Sequence, residues 1–295
     1  MSLITMLSAN SRLPYAELAE KLNLSVNAVH KRIQLLIEAG VICKFTAKVS
    51  LPAAKAIVVF VSGTSQLESF QHLPDKLRIQ GSIYWLALGG GKFVYIGAHL
   101  RSLNDLDPLV NFVKKEAQIP EPTVGIMSAS LPFSATQKPV DSTLCDLDYR
   151  IIRSLKDNSR KAVSDVAIEV GVSAKTVRRR LERMIQNGII DLSIDWFPDK
   201  SNDIITLTDV HLKPETDMLA AYNILKKYSP NALFYWSFVN LPNRLTYAVW
   251  TNSMNELQNL REKLEKEEGV ASVTPNMLYI GYLFDTWRDK LVENS

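Results

Sequence analysis

The sequence predicts an α+β protein in which two helical units alternate with two β-sheet units. Two observations support this prediction. A stretch of roughly forty residues near the start of the chain recurs near its middle, and the order of strands and helices after the first copy recurs after the second. Repetition on this scale indicates that a whole structural unit has been duplicated.

The helical repeat becomes visible when Asn10-Ser11-Arg12 is set on Asn158-Ser159-Arg160, an offset of 148 residues. The alignment then runs without a gap from residues 4–42 to residues 152–190. Each copy predicts three helices. A tight turn separates the second from the third, with Asn23 in one copy and Gly171 in the other, and both residue types tolerate a positive φ at a helix end. This arrangement predicts a helix-turn-helix in each copy.

The third helix of the second copy, Ser173 to Ile190, has the pattern of a recognition helix. Ser173 is a candidate N-cap, and Gly188 stands where a helix ends in the left-handed conformation. The spacing of the apolar residues predicts one buried stripe, formed by Val177, Leu181, Met184 and Ile185. Five basic residues against Glu182 give the segment a local charge of +4, whereas the whole chain carries +3.

A short basic helix of this kind suits the major groove of DNA. The candidate contacts in the second copy are Lys175, Thr176, Arg178, Arg179, Arg180 and Arg183. Arg180 and Arg32 occupy matching positions and are also candidates for phosphate contacts or for buried acidic partners. In the first copy the corresponding candidates are Asn27, His30, Lys31 and Arg32, on a helix with a local charge of only +1. The plainer alternative is a three-helix bundle with a solvated basic face, in which His30 is an ordinary surface histidine.

The segments that follow each helical copy predict the order β-α-β-β-α-β, the ferredoxin-like split motif. In residues 56–128 a helix is expected over Leu67 to Ile79, shortened by Pro74, and Gly89 to Gly91 predict a hairpin turn. Residues 203–280 repeat the order, with Tyr95 matched to Tyr247. The aromatic residues of these units are expected to pack within the sheets.

These patterns divide the chain into five segments. They are a winged helix-turn-helix at 1–50, a ferredoxin-like domain at 51–131, a linker at 132–143 with Pro132 and Pro139, a second winged helix-turn-helix at 144–200, and a second ferredoxin-like domain with a tail at 201–295. Residues 191–197 alternate like a strand that begins a wing. The tail is expected to form a short helix that packs Trp287 and Leu291 on a neighbouring surface.

Several classes of protein are disfavoured by the sequence. Cys43 and Cys145 have no metal-ligand spacing and indicate no disulfide framework, which is typical of a reducing cytoplasm. No apolar run approaches the length of a membrane span. Gly89-Gly90-Gly91-Lys92 lacks the spacing of a phosphate loop. We therefore expect a soluble cytoplasmic protein that is not an enzyme and has no catalytic residues, metal or cofactor.

The chain resembles the Lrp/AsnC family of prokaryotic transcription regulators. The likeness is carried by LDYRIIRSLKDNSR at 147–160, by VAIEVGVSAKTVRRRLERMIQNGII at 166–190 and by LAEKLNLSVNAVHKRIQLLIEAGVI at 18–42. The resemblance implies two fused copies, each with a winged helix-turn-helix and a βαββαβ domain of the dimeric α/β barrel type. It also implies double-stranded DNA as a partner, and either a homo-oligomer or a pseudo-dimer within one chain.

Many members of this family sense an amino acid through a Gly and an Asp in the loop between the second and third strands. The resemblance therefore implies an effector site at Gly89, Gly90, Gly91 and Lys92, although Lys92 stands where the family has Asp. A related branch with the same architecture decarboxylates siroheme and is the enzymatic alternative, but the His-x-Tyr-x-Arg sequence of that branch does not occur in the corresponding strands. A third alternative is a sensor or scaffold whose helix-turn-helix units have lost DNA binding.

Overall fold

The computed structural model describes residues 2–128, 143–201, 203–228 and 231–293 of the 295-residue chain. The chain divides into two compact units. The head unit comprises Met1–Ala56, Phe133–Phe197 and Asp285–Ser295, and the sheet unit comprises Ile57–Pro132 and Pro198–Phe284. The α+β fold class is confirmed. The predicted linker, 132–143, lies outside the described residues except for residue 143.

The helices and strands are numbered in chain order. The helices are α1 (Ser2–Ala9), α2 (Tyr15–Leu22), α3 (Val26–Glu38), α4 (Leu73–Arg78), α5 (Leu106–Glu116), α6 (Asp146–Leu155), α7 (Val163–Val170), α8 (Ala174–Gln186), α9 (Met218–Lys227), α10 (Met254–Glu265) and α11 (Trp287–Lys290). The strands are β1 (Ile42–Val49), β2 (Ile57–Thr64), β3 (Ile83–Gly89), β4 (Phe93–Leu100), β5 (Thr123–Ile126), β6 (Ile190–Trp196), β7 (Ile204–Leu212), β8 (Ala232–Phe238), β9 (Leu241–Thr251) and β10 (Val270–Leu283).

The head unit contains two three-helix bundles, which we call the first head (residues 2–49) and the second head (residues 143–196). The turn between the second and third helices is left-handed in both, with φ 52° at Asn23 and φ 69° at Gly171. The apolar core of the first head is centred on Leu7 and Leu18, and that of the second head is centred on Leu155 and Val166. Both predicted helix-turn-helix motifs are therefore confirmed.

The strand predicted after the second recognition helix forms as β6, but its partner is β1 of the first head. The two strands run antiparallel, with Phe45 opposite Ile194 and Thr46 opposite Ser193. At the 148-residue repeat offset, Ser193 is the equivalent of Phe45 and Ile194 is the equivalent of Thr46. The two-stranded ribbon of β1 and β6 is therefore symmetric, because exchanging the two heads superposes each strand on the other. A pseudo-twofold axis passes through the centre of this ribbon.

The sheet unit contains one eight-stranded sheet with the order β5-β2-β4-β3-β10-β7-β9-β8. The two βαββαβ halves join where the long strand β10 pairs with β7 along its first part and with β3 along its last part. The outer strands also meet, because Met127 forms a bridge with Phe238 and the Val239 amide donates to the Ile126 carbonyl at 2.9 Å. The sheet therefore closes on itself within one chain.

Each half of the sheet has a core beneath its helices, and a further aromatic group joins the halves. Phe60 lies 5.7 Å from Trp85, 5.6 Å from Trp236 and 6.0 Å from Phe238, measured between ring centroids. A Cβ atom on Gly125 would lie 2.3 Å from the Phe238 ring, so glycine is required at this closure. The aromatic residues pack within the sheet, as predicted.

The helix expected over Leu67 to Ile79 is shortened, as Pro74 predicted. It spans Leu73–Arg78, because Pro74 fits the first turn of a helix and not its interior. One local prediction was wrong, since Tyr95 and Tyr247 are not structural equivalents. Tyr247 lies in the core beneath α9 and α10, whereas Tyr95 lies beside Phe60, at 6.0 Å. Matching residue letters does not fix which face of a strand a side chain occupies.

Candidate nucleic-acid interface

The second recognition helix forms for the reasons that its sequence suggests. The Ser173 hydroxyl accepts a hydrogen bond from the Thr176 amide at 3.2 Å, and Gly188 follows the helix with φ 62°. Val177, Leu181 and Met184 are buried, but Ile185 is 40% exposed. Each residue advances about 100° around a helix, so Ile185 stands at the edge of the stripe.

The exposed face of α8 carries Lys175, Arg178 and Arg179. No hydrogen bond or ion pair joins these three side chains to another of the described residues. Thr176 is partly buried, and its hydroxyl lies 3.0 Å from that of Ser173, within the helix cap. The three cations are therefore available to an anionic partner, whereas the Thr176 hydroxyl already contacts Ser173 in the helix cap.

Arg180 and Arg183 occupy the side of α8 that faces α6. The Arg183 guanidinium donates to the Asp148 carboxylate at 2.6 Å, and an Arg180 nitrogen lies 3.5 Å from the same oxygen. Asp148 is fully buried. The structure thus gives both arginines an intramolecular acidic partner, and their contact with DNA remains a prediction.

The first recognition helix, α3, has the same N-cap but a different surface. The Ser25 hydroxyl accepts from the Ala28 amide at 3.1 Å. Its four candidate contacts are all exposed, and they are Asn27, His30, Lys31 and Arg32. The His30 ring lies edge-on to Tyr15, with 5.5 Å between ring centroids. Leu35, at the position equivalent to Arg183, is 52% exposed. The first head therefore offers less positive charge than the second.

The two heads meet at the motif that anchors the sequence repeat. Ser11 and Ser159 are fully buried, and their hydroxyl oxygens lie 2.5 Å apart. The Ser11 amide donates to the Leu192 carbonyl, and the Ser159 amide donates to the Phe45 carbonyl, each at 3.0 Å. These reciprocal bonds hold the heads as a pair.

Two arginines flank this serine pair. Arg12 donates to the carbonyls of Ser159 and Lys161, and Arg160 donates to the Leu13 carbonyl at 3.0 Å and lies over the Tyr15 ring. Burial lowers the pKa of both guanidinium groups, and the charge of Arg160 lowers that of Arg12 further. Each head thus binds the backbone of the other through one arginine.

The C-terminal segment packs on the paired strands β1 and β6 and on the second head. It contains the short helix that was predicted, α11. Arg288 is nearly buried, donates to the Val49 carbonyl at 2.6 Å and pairs with Asp191. Asp289 lies 2.8 Å from the Lys48 ammonium. Burial by itself would raise the pKa of Asp289, but Lys48 and the Thr286 amide outweigh this and lower it.

The predicted effector residues lie on the turn between β3 and β4. Gly91 has φ 67°, the Gly90 amide donates to Asn276 at 2.7 Å, and the Lys92 ammonium donates to the Leu67 carbonyl at 3.0 Å. A cavity of about 270 Å³ lies beside Gly90, and it is lined by Gly90, Met254, Leu257, Gln258, Arg261, Pro275, Asn276 and Met277. The structure brings Gly90 to this cavity but places neither Gly89, Gly91 nor Lys92 on its wall.

Sequence reasoning missed four contributing residues. In the sequence, Asp148 looks like an ordinary acidic residue in the first turn of a helix. Its ion-pair partner, Arg183, lies 35 residues further along the chain. Arg12 and Arg160 anchored the alignment, but nothing local indicates that they cross between heads. Arg288 lies in the tail, 97 residues from Asp191. Only the recurrence of the Asn-Ser-Arg motif could have suggested an interface.

Two features of the described residues bear on other classes of function. Within the described ranges, no three His, Cys, Asp or Glu side chains come together as metal ligands. No helix among the described residues is long and apolar enough to cross a bilayer.

A family model described as winged helix-turn-helix DNA-binding matches residues 2–42 and 146–191. The chain is 33% identical over 81 residues to the HTH-type transcriptional regulator LysM of Sulfurisphaera tokodaii, covering 28% of this chain and 58% of that protein. It is 28% identical over 138 residues to the uncharacterized HTH-type transcriptional regulator PF1231 of Pyrococcus furiosus, covering 46% of this chain and 91% of that protein.

Two solved structures are also similar. The siroheme decarboxylase NirDL superposes with a TM-score of 0.62 over 99% of this chain and 96% of its own, at 10% sequence identity. AsnC of E. coli has a TM-score of 0.38 at 23% identity and covers 46% of this chain and 91% of its own. The likeness to NirDL shows a shared fold along both halves of the chain.

Proposed function

We propose that this chain, a tandem winged helix-turn-helix protein of the Lrp/AsnC type, binds promoter DNA and regulates transcription through that binding. Recognition helix α8 enters the major groove, and α3 provides a second, weaker contact. The two heads act as one reading device because they are paired within a single chain.

The observation that carries this proposal is the exposed cationic face of α8. Lys175, Arg178 and Arg179 project from a helix whose opposite side is fixed in an apolar core. Cations held on a short helix release counterions from phosphates and reach base edges in the major groove. Asn27, His30 and Lys31 stand on the corresponding helix of the first head.

The pairing of the heads predicts the form of the operator. Because a pseudo-twofold axis relates α3 to α8, the two half-sites should be inverted relative to each other. Their contributions should differ, because the recognition segments carry charges of +1 and +4.

The test begins with duplexes that the 295-residue chain selects from a random-sequence library. Binding of the selected duplex is then measured by fluorescence anisotropy for K175A/R178A/R179A and for N27A/H30A/K31A. The first variant should lose affinity by at least about two orders of magnitude, since three good base contacts at about 1–3 kcal/mol each amount to about 3 kcal/mol or more. The second variant should lose less.

A matched control removes positive charge from the sheet unit. Lys114 and Lys115 are exposed on α5, and K114A/K115A should bind the selected duplex like the unchanged protein. Failure of the library to yield any enriched duplex would refute sequence-specific DNA binding.

We propose further that the cavity beside Gly90 binds a small-molecule effector. The lining of this cavity supports the proposal, because it combines the apolar side chains Met254 and Met277 with the polar side chains Arg261 and Asn276. Ligand sites typically combine apolar walls with a few polar groups. Titration calorimetry with the twenty amino acids tests this idea, and N276A should abolish any binding that is found. If none of the twenty amino acids gives a heat of binding, amino-acid sensing at this cavity is contradicted.

We also propose that the chain is not an enzyme. The two relatives described above carry regulator names, and this supports the proposal, whereas the NirDL likeness reflects the fold. Incubation with siroheme, followed by mass spectrometry, should return the substrate unchanged. A mass loss of carbon dioxide would instead support the decarboxylase alternative.

A further inference from the structure

Asp148 is a fully buried carboxylate that joins α6 to the second recognition helix. It lies in the first turn of α6, and one of its oxygens accepts from the Cys145 amide at 3.1 Å. The same oxygen accepts from Arg183 at 2.6 Å and lies 3.5 Å from Arg180. One buried atom therefore connects the start of α6 with two residues of α8.

The geometry of these contacts restrains α8 strongly. Arg180 and Arg183 are three residues apart, so they lie on the same side of the helix, one turn above the other. A buried charge is strongly unfavourable without its partners, so rotation or sliding of α8 that broke both contacts would be costly. The adjoining face, on which Lys175 and Arg179 lie four and eight residues before Arg183, is thereby held in one orientation.

The ion pairs also divide the five basic residues of the helix into two groups, because Arg180 and Arg183 have an acidic partner within the described part of the protein and the other three do not. Asp148 offsets part of the charge of Arg180 and Arg183, which reduces their attraction for phosphates. The first head differs at this point, since Leu35 stands at the position of Arg183 and Arg32, the equivalent of Arg180, is exposed.

From these contacts we infer that Asp148 is a positioning residue, which holds α8 in the orientation that distinguishes one DNA sequence from another. This inference rests on the proposed function. Asp148 does not touch DNA itself. It acts through Arg183 and Arg180, and its effect belongs to specificity more than to total electrostatic affinity.

The test uses Asp148→Asn in the full chain, with the selected duplex and a scrambled duplex of equal length as probes. The ratio of the two affinities should fall roughly tenfold, because a misoriented helix loses directional base contacts. Affinity for the scrambled duplex should be unchanged or higher, because Arg180 and Arg183 become free to contact phosphates. Each phosphate newly neutralised in this way would steepen the salt slope by about 0.9.

A matched control and a second variant separate positioning from stability. Asp146→Asn removes the same charge from the same helix turn, but Asp146 pairs with Arg150 at 3.7 Å and not with α8. D146N should keep the affinity ratio of the unchanged protein. Arg183→Gln should reproduce the fall in affinity ratio seen in D148N. If D148N does not fold, R183Q should still lower affinity for the selected duplex alone, and an equal loss for the scrambled duplex would mark Arg183 as a phosphate contact and overturn the inference. The double variant D148N/R183Q should lose no more than either single one.

The outcomes are distinguishable. A folded D148N with a lower melting temperature but an affinity ratio within twofold of the unchanged protein would overturn the inference and leave the proposed function standing. Additive losses in the double variant would also overturn it, because Arg183 would then contact DNA independently. An unchanged protein that binds no duplex at low salt would overturn the inference and the proposed function together.

Discussion

The buried serine pair between the heads allows a sharp test of their association. Ser159→Ala leaves the Ser11 hydroxyl buried without its partner, which lies 2.5 Å away in the unchanged protein. Both side chains are fully buried, so the remaining hydroxyl bears its full desolvation penalty, about 1–3 kcal/mol. The double variant S11A/S159A removes both polar groups and should be close to neutral. The two single variants are therefore expected to be less stable than the double one.

Scanning calorimetry of the full chain measures this cycle. In a unit of this size, 1 kcal/mol shifts the melting temperature by roughly 3–6 °C. Ser11→Ala and Ser159→Ala should each lower the transition of the head unit by several degrees, and S11A/S159A should recover most of the loss. Backbone bonds of both residues, to Leu192 and Phe45, stay in place in every variant. Additive losses in the double variant would refute the direct contact between the heads.

Three further predictions concern single sites. Gly171→Ala should cost about 1 kcal/mol of stability, because φ is 69° at this position although the space around it is open. Gly171→Asn should cost less, because Asn23 adopts φ 52° at the equivalent position. Equal urea unfolding midpoints for the two variants would contradict this. Gly125→Ala should destabilise the sheet unit by about 1–3 kcal/mol through its clash with Phe238, as thermal unfolding can report, and an unchanged transition would contradict the closure of the sheet. The pKa of Asp289 is lowered in the folded chain, so its stabilisation of the C-terminal segment is present above the unfolded value of about 3.9 and is lost as pH falls through the lower folded value. Hydrogen exchange of the segment between pH 5 and 2 should show this loss in the unchanged protein but not in D289N, and identical profiles would exclude the Lys48 pair as its cause.

Local chemistry made much of this fold predictable. Ser25 and Ser173 cap helices, and Asn23 and Gly171 adopt the left-handed turn, because these effects depend on residues a few positions apart. The basic face of α8 was predictable for the same reason, since its spacing follows from helix periodicity.

Long-range partners were not predictable in the same way. Alternation in residues 191–197 indicates a strand but does not say that β1, rather than a wing, is its neighbour. The acid that binds Arg183 could not be chosen from sequence, because Asp146 and Asp148 are two residues apart and only one is buried. The closure of the sheet depends on Phe238 meeting Gly125, a contact between distant segments.

The salt dependence of DNA binding tests the central claim most directly. The affinity of the unchanged protein and of K175A/R178A/R179A for the selected duplex is measured from low to moderate salt, with K114A/K115A as the control. The slope of log affinity against log salt should flatten by about 0.9 for each phosphate that the triple variant no longer neutralises, and it should stay unchanged in the control. An identical slope in the triple variant would show that α8 is not the helix that binds DNA.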